Sequence, residues 1–294
     1  MIKRTLYFGN PCYLSKNQNQ LSIEFENNTK SVPIEDIGIV ILDNYQITIT
    51  NAVLQALVEN NVAILTNDFR HMPLGLMLPL SSHSTYTEKL KYQLAASLPL
   101  KKNLWQQTII RKIQNQASLL KLYNIDIENM NYWASQVRSG DPDNYEARAA
   151  AYYWSSIFKI EFKRGRYGEP PNNILNYGYA ILRAVVARSL VASGALPALG
   201  IHHRNKYNAY CLADDIMEPY RPYVDRKVLD IMSLDSFDGE LTKEVKRTLL
   251  EIPAMNIYIN DNKSPLQVGM QQTTSSLMQC FEGITRKIMY PVLI

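Results

Sequence analysis

The densest run of reactive side chains lies between Gly200 and Pro222. Two adjacent histidines, His202 and His203, are followed by Asp214, Asp215 and Glu218. On a helix Asp214 and Glu218 stand at i and i+4, and Asp215 and Glu218 at i and i+3, so all three carboxylates can share one side. Like charges at that spacing repel, and need a cation, a shifted protonation state or full solvation. A divalent cation is one answer, and oxygen ligands with one imidazole suit Mg²⁺ or Mn²⁺ better than a structural zinc centre. Pro219 cannot donate to the Asp215 carbonyl, so the helix kinks or restarts there and can aim Glu218 away from a regular surface. The competing reading is an ordinary solvated acidic face, with Arg221 pairing to Glu218 at i+3.

A second polar group runs from Gly140 to Trp154. Asp143 is a good N-cap and Glu146 stands three residues on, the capping-box position, which is a structural role for Glu146. Ala147, Ala149, Ala150 and Ala151 make this helix narrow, so a neighbour can come close to Glu146. A third group is basic. Lys159, Lys163, Arg164 and Arg166 end one helix and enter a glycine-rich loop, Lys243, Lys246 and Arg247 lie on another helix, and Arg286 and Lys287 end the last one. Cations at helix ends complement the helix dipole. In the first of these stretches cations and aromatics interleave, which also suits phosphate contact.

The elements that carry these groups divide near residue 75. Before it the apolar pattern has period two: Leu21, Ile23 and Phe25 alternate with polar residues, 37–42 is a short apolar run, and Val62–Leu65 is another. One helix, near 52–59, interrupts them. Pro73, Gly75 and Pro79 read as a connector. After it the spacing predicts helices over 86–97, 101–123, 126–139, 144–164, 172–193, 208–217, 240–250 and 264–288. The fold expected is α+β: a small β-rich, sandwich-like domain with one helix over residues 1–76, and a larger all-α domain over residues 77–294.

The 294 residues are 46% hydrophobic and 20% charged, enough for a sizeable core and unlike a disordered chain. A net charge of +4 permits nucleic-acid binding without demanding it. Three scattered cysteines, Cys12, Cys211 and Cys280, give neither a disulfide framework nor a CxxC metal pair, which points to a reducing cytoplasm. The N-terminus lacks the apolar core of a signal peptide, and the apolar stretch from Val185 to Ile201 is broken by Arg188 and Pro197, so no membrane span is expected. No Ser-His-Asp set stands out, and the cysteines lack an adjacent base.

Together the segments IGIVILDNYQITIT, GDPDNYEARAAAYYW, PPNNILNYGYAILRAVVARSL and LGIHHRNKYNAYCLADDIMEPYRPYVD resemble the CRISPR-associated integrase family of spacer acquisition (Cas-one). The resemblance covers essentially the whole chain, and the last segment looks like the type II branch. It implies an N-terminal β-domain that dimerises and a helical catalytic domain with a Mg²⁺ or Mn²⁺ site of Glu, His and an acid. Residue by residue, that site falls on Glu146, on His203 or its neighbour His202, and on Glu218; the histidine-to-acid interval favours His203. Lys163, Arg164 and Arg166 become candidates for DNA contact. The implied reaction is metal-dependent transesterification, in which 3′-hydroxyl ends of short foreign DNA join a repeat array. The implied partners are DNA, a second copy of the chain, a small ferredoxin-like protein (Cas-two) and further type II adaptation proteins. Two other readings use the same residues: a metal-dependent nuclease acting alone on branched DNA or RNA, and a non-catalytic nucleic-acid scaffold.

Overall fold

The computed structural model describes every residue except 1, 2, 27, 82, 159–161, 166, 167 and 236. Lys159 and Arg166, two of the cations singled out above, therefore lie outside the described residues. The N-terminal part holds two four-stranded sheets. One has the order β1 (Arg4–Phe8), β5 (Ile37–Leu42), β7 (Ala63–Asn67), β8 (Pro73–Met77); its first three strands are parallel and β8 is antiparallel. The other has the order β4 (Asn28–Pro33), β3 (Gln20–Phe25), β2 (Tyr13–Asn17), β6 (Thr48–Ile49). Helix α1 (Asn51–Glu59) joins them, and Leu14, Leu21, Val40, Leu57 and Ile64 form their shared core.

The unbroken apolar run of β5 has a physical reason. Ile37 and Val40 face that core, whereas Ile39 and Ile41, with Ala63 and Leu65 of β7, pack into the core of the helical part. A parallel strand covered on both faces has no polar side to alternate with.

Nine helices follow among the described residues: α2 (Tyr86–Ala95), α3 (Leu98–Leu122), α4 (Glu128–Gln136), α5 (Tyr145–Ile157), α6 (Asn172–Ala192), α7 (Cys211–Met217), α8 (Arg221–Met232), α9 (Lys243–Leu249) and α10 (Leu266–Phe281). Ser97 caps α3, with Pro99 in its first turn, and Thr242 caps α9. Helix α6 is long and apolar enough to cross a membrane, but 83% of its apolar window is buried inside the protein, as in a core helix. Gly178 lets α6 meet α8, since a Cβ there would come within 2.6 Å of Val224.

Several expectations need correction. The helical part is not all α, because β9 (Asn256–Ile259) and β10 (Asn262–Pro265) form a hairpin. Residues 73–77 are a strand rather than a connector; Pro73 is tolerated as the first residue of an edge strand. The helix expected over 144–164 ends at Ile157, and the last helix ends at Phe281, before Arg286 and Lys287. Helix α8 was not expected at all.

Candidate metal and phosphate site

Helix α3 is the spine of the site. Its buried stripe carries Trp105, Thr108, Lys112 and Asn115 at helical spacing. Asn115 donates its amide to the Pro219 carbonyl at 2.7 Å, where α7 ends in a single 3₁₀ turn (Glu218–Tyr220) before α8 begins. That contact fixes the break at Pro219. Glu218 is thereby turned inward, its side chain only 7% exposed.

Glu146 stands in the first turn of α5. The capping-box role does not hold. Asp141 accepts from the Tyr145 and Glu146 amides at 2.9 Å each, while Asp143 is drawn off to Arg138. The Glu146 side chain is left to face α3. There the Lys112 ammonium donates to its Oε1 at 2.6 Å and lies 2.7 Å from Oε2 of Glu218. The second contact is off the line of a hydrogen bond, so Oε2 is charge-paired without an aligned donor. Oε1 of Glu218 accepts from Arg221 Nε at 2.8 Å. Burial alone would push the Glu218 carboxyl up, but Arg221 and Lys112 outweigh it and hold it at about 2. Burial likewise opposes the Lys112 charge, and the two glutamates win, raising its pKa.

The three acids on and after α7 do not crowd together. Asp214 turns to Arg183 and Asn208, at 2.7 Å each. Asp215, with no side-chain exposure, gathers the loop before α7: it accepts from the amides of Ile201, His202 and His203 and meets His203 Nδ1. Gly200 is required by this closeness, since a Cβ there would lie 2.4 Å from the His203 carbonyl oxygen and 2.8 Å from Asp215. With Nδ1 engaged, Nε2 is the His203 nitrogen that can meet a metal. His202 instead stacks flat on Trp105, centroids 4.1 Å apart, and His203 meets the same indole edge-on.

This geometry separates the two rings. The Asp215 hydrogen bond raises the His203 pKa, with Glu218 and Glu146 adding to it through space; burial, then His203 itself, lowers that of His202. In metal-free protein His203 is expected to titrate above, and His202 below, the ordinary value of about 6.5. The stability that His203 draws from Asp215 is full below about 6.5 and lost as pH rises through its raised folded value. A ring-proton NMR titration of wild type and Asp215→Asn checks this. Coincident titration of the two rings would sink it.

Behind Glu218, the Arg221 guanidinium lies over the Tyr179 ring at 4.6 Å, and Arg164 lies over the same ring at 5.1 Å. The Tyr179 and Tyr153 hydroxyls donate to Asp225, which is buried. Burial raises the Asp225 carboxyl to about 6 against these donors and the two arginines. Its favourable contribution is therefore full below about 3.9 and lost as pH rises through about 6. Asp225→Asn removes that loss, so its stability relative to wild type should climb by up to about 3 kcal/mol between pH 4 and pH 7. Urea unfolding across that range measures it; a pH-independent difference would refute it.

The structure thus brings Glu146 and Glu218 onto one cation, with His203 near enough for both to act on it. Among the described residues no three His, Cys, Asp or Glu side chains already form a closed metal cluster. The donor set still fits a hard divalent ion, because two carboxylates from separate elements converge on a point where positive charge, the Lys112 ammonium, already sits. Of the DNA candidates, Lys163 is exposed, whereas Arg164 is tied to Asn172 and Asn176. Sequence reasoning missed Lys112 and Trp105. It also missed a groove of about 540 Å³ beside His203, lined by Lys101, Arg204, Lys206 and the exposed Tyr207.

Comparison with known proteins follows the same lines. The family described as "CRISPR associated protein Cas1" matches residues 6–261. The CRISPR-associated endonuclease Cas1 of Neisseria meningitidis is 37% identical over 98% of this chain and 94% of its own length. A second Cas1 endonuclease, from Pyrobaculum aerophilum, is 28% identical over 78% of this chain and 83% of its own. Among solved structures, a Cas1 protein from Thermotoga maritima superposes with a TM-score of 0.78 at 17% identity, covering 95% of this chain and 97% of that one. A casposase bound to its integration product gives 0.77 at 18% identity, covering 98% and 92%.

Proposed function

The chain belongs to the CRISPR-associated Cas1 family, and from that premise we propose that it is a metal-dependent integrase that inserts short foreign DNA into a repeat array. The observation that carries this reading is the convergence of Glu146 and Glu218 on one cation beside the Asp215-anchored His203. In the reaction a donor 3′-hydroxyl attacks a target phosphodiester. One O–P bond forms and one breaks, a target hydroxyl leaves, and no water is consumed. A bound Mg²⁺ or Mn²⁺ would supply Lewis acidity at the attacked phosphate. Glu146, Glu218 and His203 Nε2 would hold it. Asp215 fixes the His203 ring, and Arg221 fixes one oxygen of Glu218. Lys101, Arg204 and Lys206 line the adjoining groove and suit phosphate contact, with Tyr207 offering a face for a base; Lys163 lies farther along the chain as a further candidate.

The partners follow from the same reading. A solved Cas6-RT-Cas1–Cas2 complex contains a chain of similar fold, with a TM-score of 0.75. By analogy this chain would work as a dimer of residues 77–294 units joined through residues 1–76, bridged by the small Cas2 protein, in the cytoplasm and with other type II adaptation proteins. The exposed apolar side chains Phe69, Leu74 and Leu80, on and around edge strand β8, suit such a contact.

The test is a supercoiled plasmid carrying a CRISPR array, incubated with short duplex donor, the Cas2 partner and Mn²⁺. Donor joined to plasmid by wild type but not by Glu146→Ala or His203→Ala is the expected result. Nicking without joining would favour the lone nuclease. One observation favours the scaffold reading: both glutamates are already paired with protein cations. That reading predicts no thermal shift with Mn²⁺, whereas a native-state ligand must raise stability.

A further inference from the structure

We propose that Lys112 is a tethered counter-ion that occupies the metal position in the metal-free protein and must leave it for the metal to bind, so that DNA and metal load together. This rests on the metal-site reading above. One oxygen of Glu218 is committed to Arg221. The oxygens that remain for an incoming ion, Oε2 of Glu218 and those of Glu146, include the two that Lys112 holds. An ammonium and a divalent ion on the same oxygens would repel each other strongly where water is excluded, and the Lys112 side chain is only 10% exposed. The bond to Oε2 of Glu218 is also the easier one to give up, because it lacks hydrogen-bond alignment.

The arrangement has two consequences. Without Lys112 the buried Glu218 would keep only Arg221, and Glu146 would lose its cation, so the metal-free site needs the lysine to stay folded. With metal present, the displaced ammonium remains attached to α3 at the edge of the site, where a DNA phosphate is the natural anion to receive it. Metal and DNA binding are then coupled, and coupling of this kind is reciprocal. A site that loads metal poorly without DNA has little capacity for stray cleavage.

The experiment measures Mn²⁺ affinity by titration with an electron paramagnetic resonance readout, for wild type, Lys112→Met and Glu218→Ala, each with and without donor duplex. Lys112→Met should bind Mn²⁺ at least roughly five-fold more tightly without DNA, and should melt earlier in chelator. Donor duplex should tighten Mn²⁺ binding to wild type but not to Lys112→Met. Equal or weaker Mn²⁺ binding by Lys112→Met overturns the inference and leaves the metal site standing. Loss of any Glu218-dependent Mn²⁺ binding in both wild type and Lys112→Met overturns the metal site and the inference with it. If Lys112→Met does not fold, amine acylation of wild type read by mass spectrometry decides: labelling of Lys112 should rise on adding Mn²⁺, and unchanged labelling refutes displacement.

Discussion

Replacing Glu218 by glutamine is expected to lower donor joining by roughly three orders of magnitude. A metal ion supplies several kcal/mol of transition-state charge stabilisation, and each 1.36 kcal/mol is about tenfold in rate. Glutamine keeps the shape and an oxygen for Arg221 Nε, but it removes the anion that both Arg221 and Lys112 neutralise. Two buried cations then compete for Glu146 alone. Some stability is lost as well, so the joining rate is measured beside a melting curve, at a temperature where the variant is folded. A fall of only about ten- to a hundred-fold is what loss of an outer partner produces, and would demote Glu218 from ligand to orienting group.

The reach of the sequence was uneven, for identifiable reasons. Strand β5 was legible because burial on both faces leaves a continuous apolar run. Helix α8 was not, because Pro219 and Pro222 read as terminators; in the structure Pro222 sits in the first turn, where proline starts a helix. The β9–β10 hairpin hid in a stretch read as loop, although Asn260 and Asp261, both with positive φ, are the residue types that such turns favour. At the site, spacing alone suggested that Asp214, Asp215 and Glu218 crowd and call for a cation. Each has its own partner instead, and only Glu218 faces the converging pair. Lys112 escaped because its partners are distant in sequence; Glu146 is 34 residues on. A lysine between Ile109 and Ile113 on an apolar helical stripe is itself a signal, since a buried ammonium must be paired.

The second large effect concerns the joint between the two parts of the chain. Asp43, directly after β5, has no side-chain exposure and receives Lys246 Nζ of α9 at 2.8 Å. Asn67 Nδ2 at 2.8 Å, His71 Nδ1 at 3.0 Å and the Tyr7 hydroxyl complete its shell. Burial would raise the Asp43 carboxyl, but Lys246 and the other donors prevail and lower it. Lys246 is almost as buried, 6% exposed, between the rings of Tyr7 and Tyr177. Removing one partner strands the other charge, so Lys246→Met or Asp43→Ala should each cost about 3–5 kcal/mol. The double variant Asp43→Leu with Lys246→Met should recover most of that, because an apolar pair carries no desolvation penalty. The sign with pH is fixed by the lowered pKa: the contribution is complete above about pH 4 and lost as pH falls through the depressed folded value. Urea unfolding of the four proteins at neutral pH gives the coupling energy, and a repeat near pH 3 should shrink it. Additive single effects would mean that the sheet and α9 are held together by their apolar contacts, with Asp43 and Lys246 merely tolerated between them.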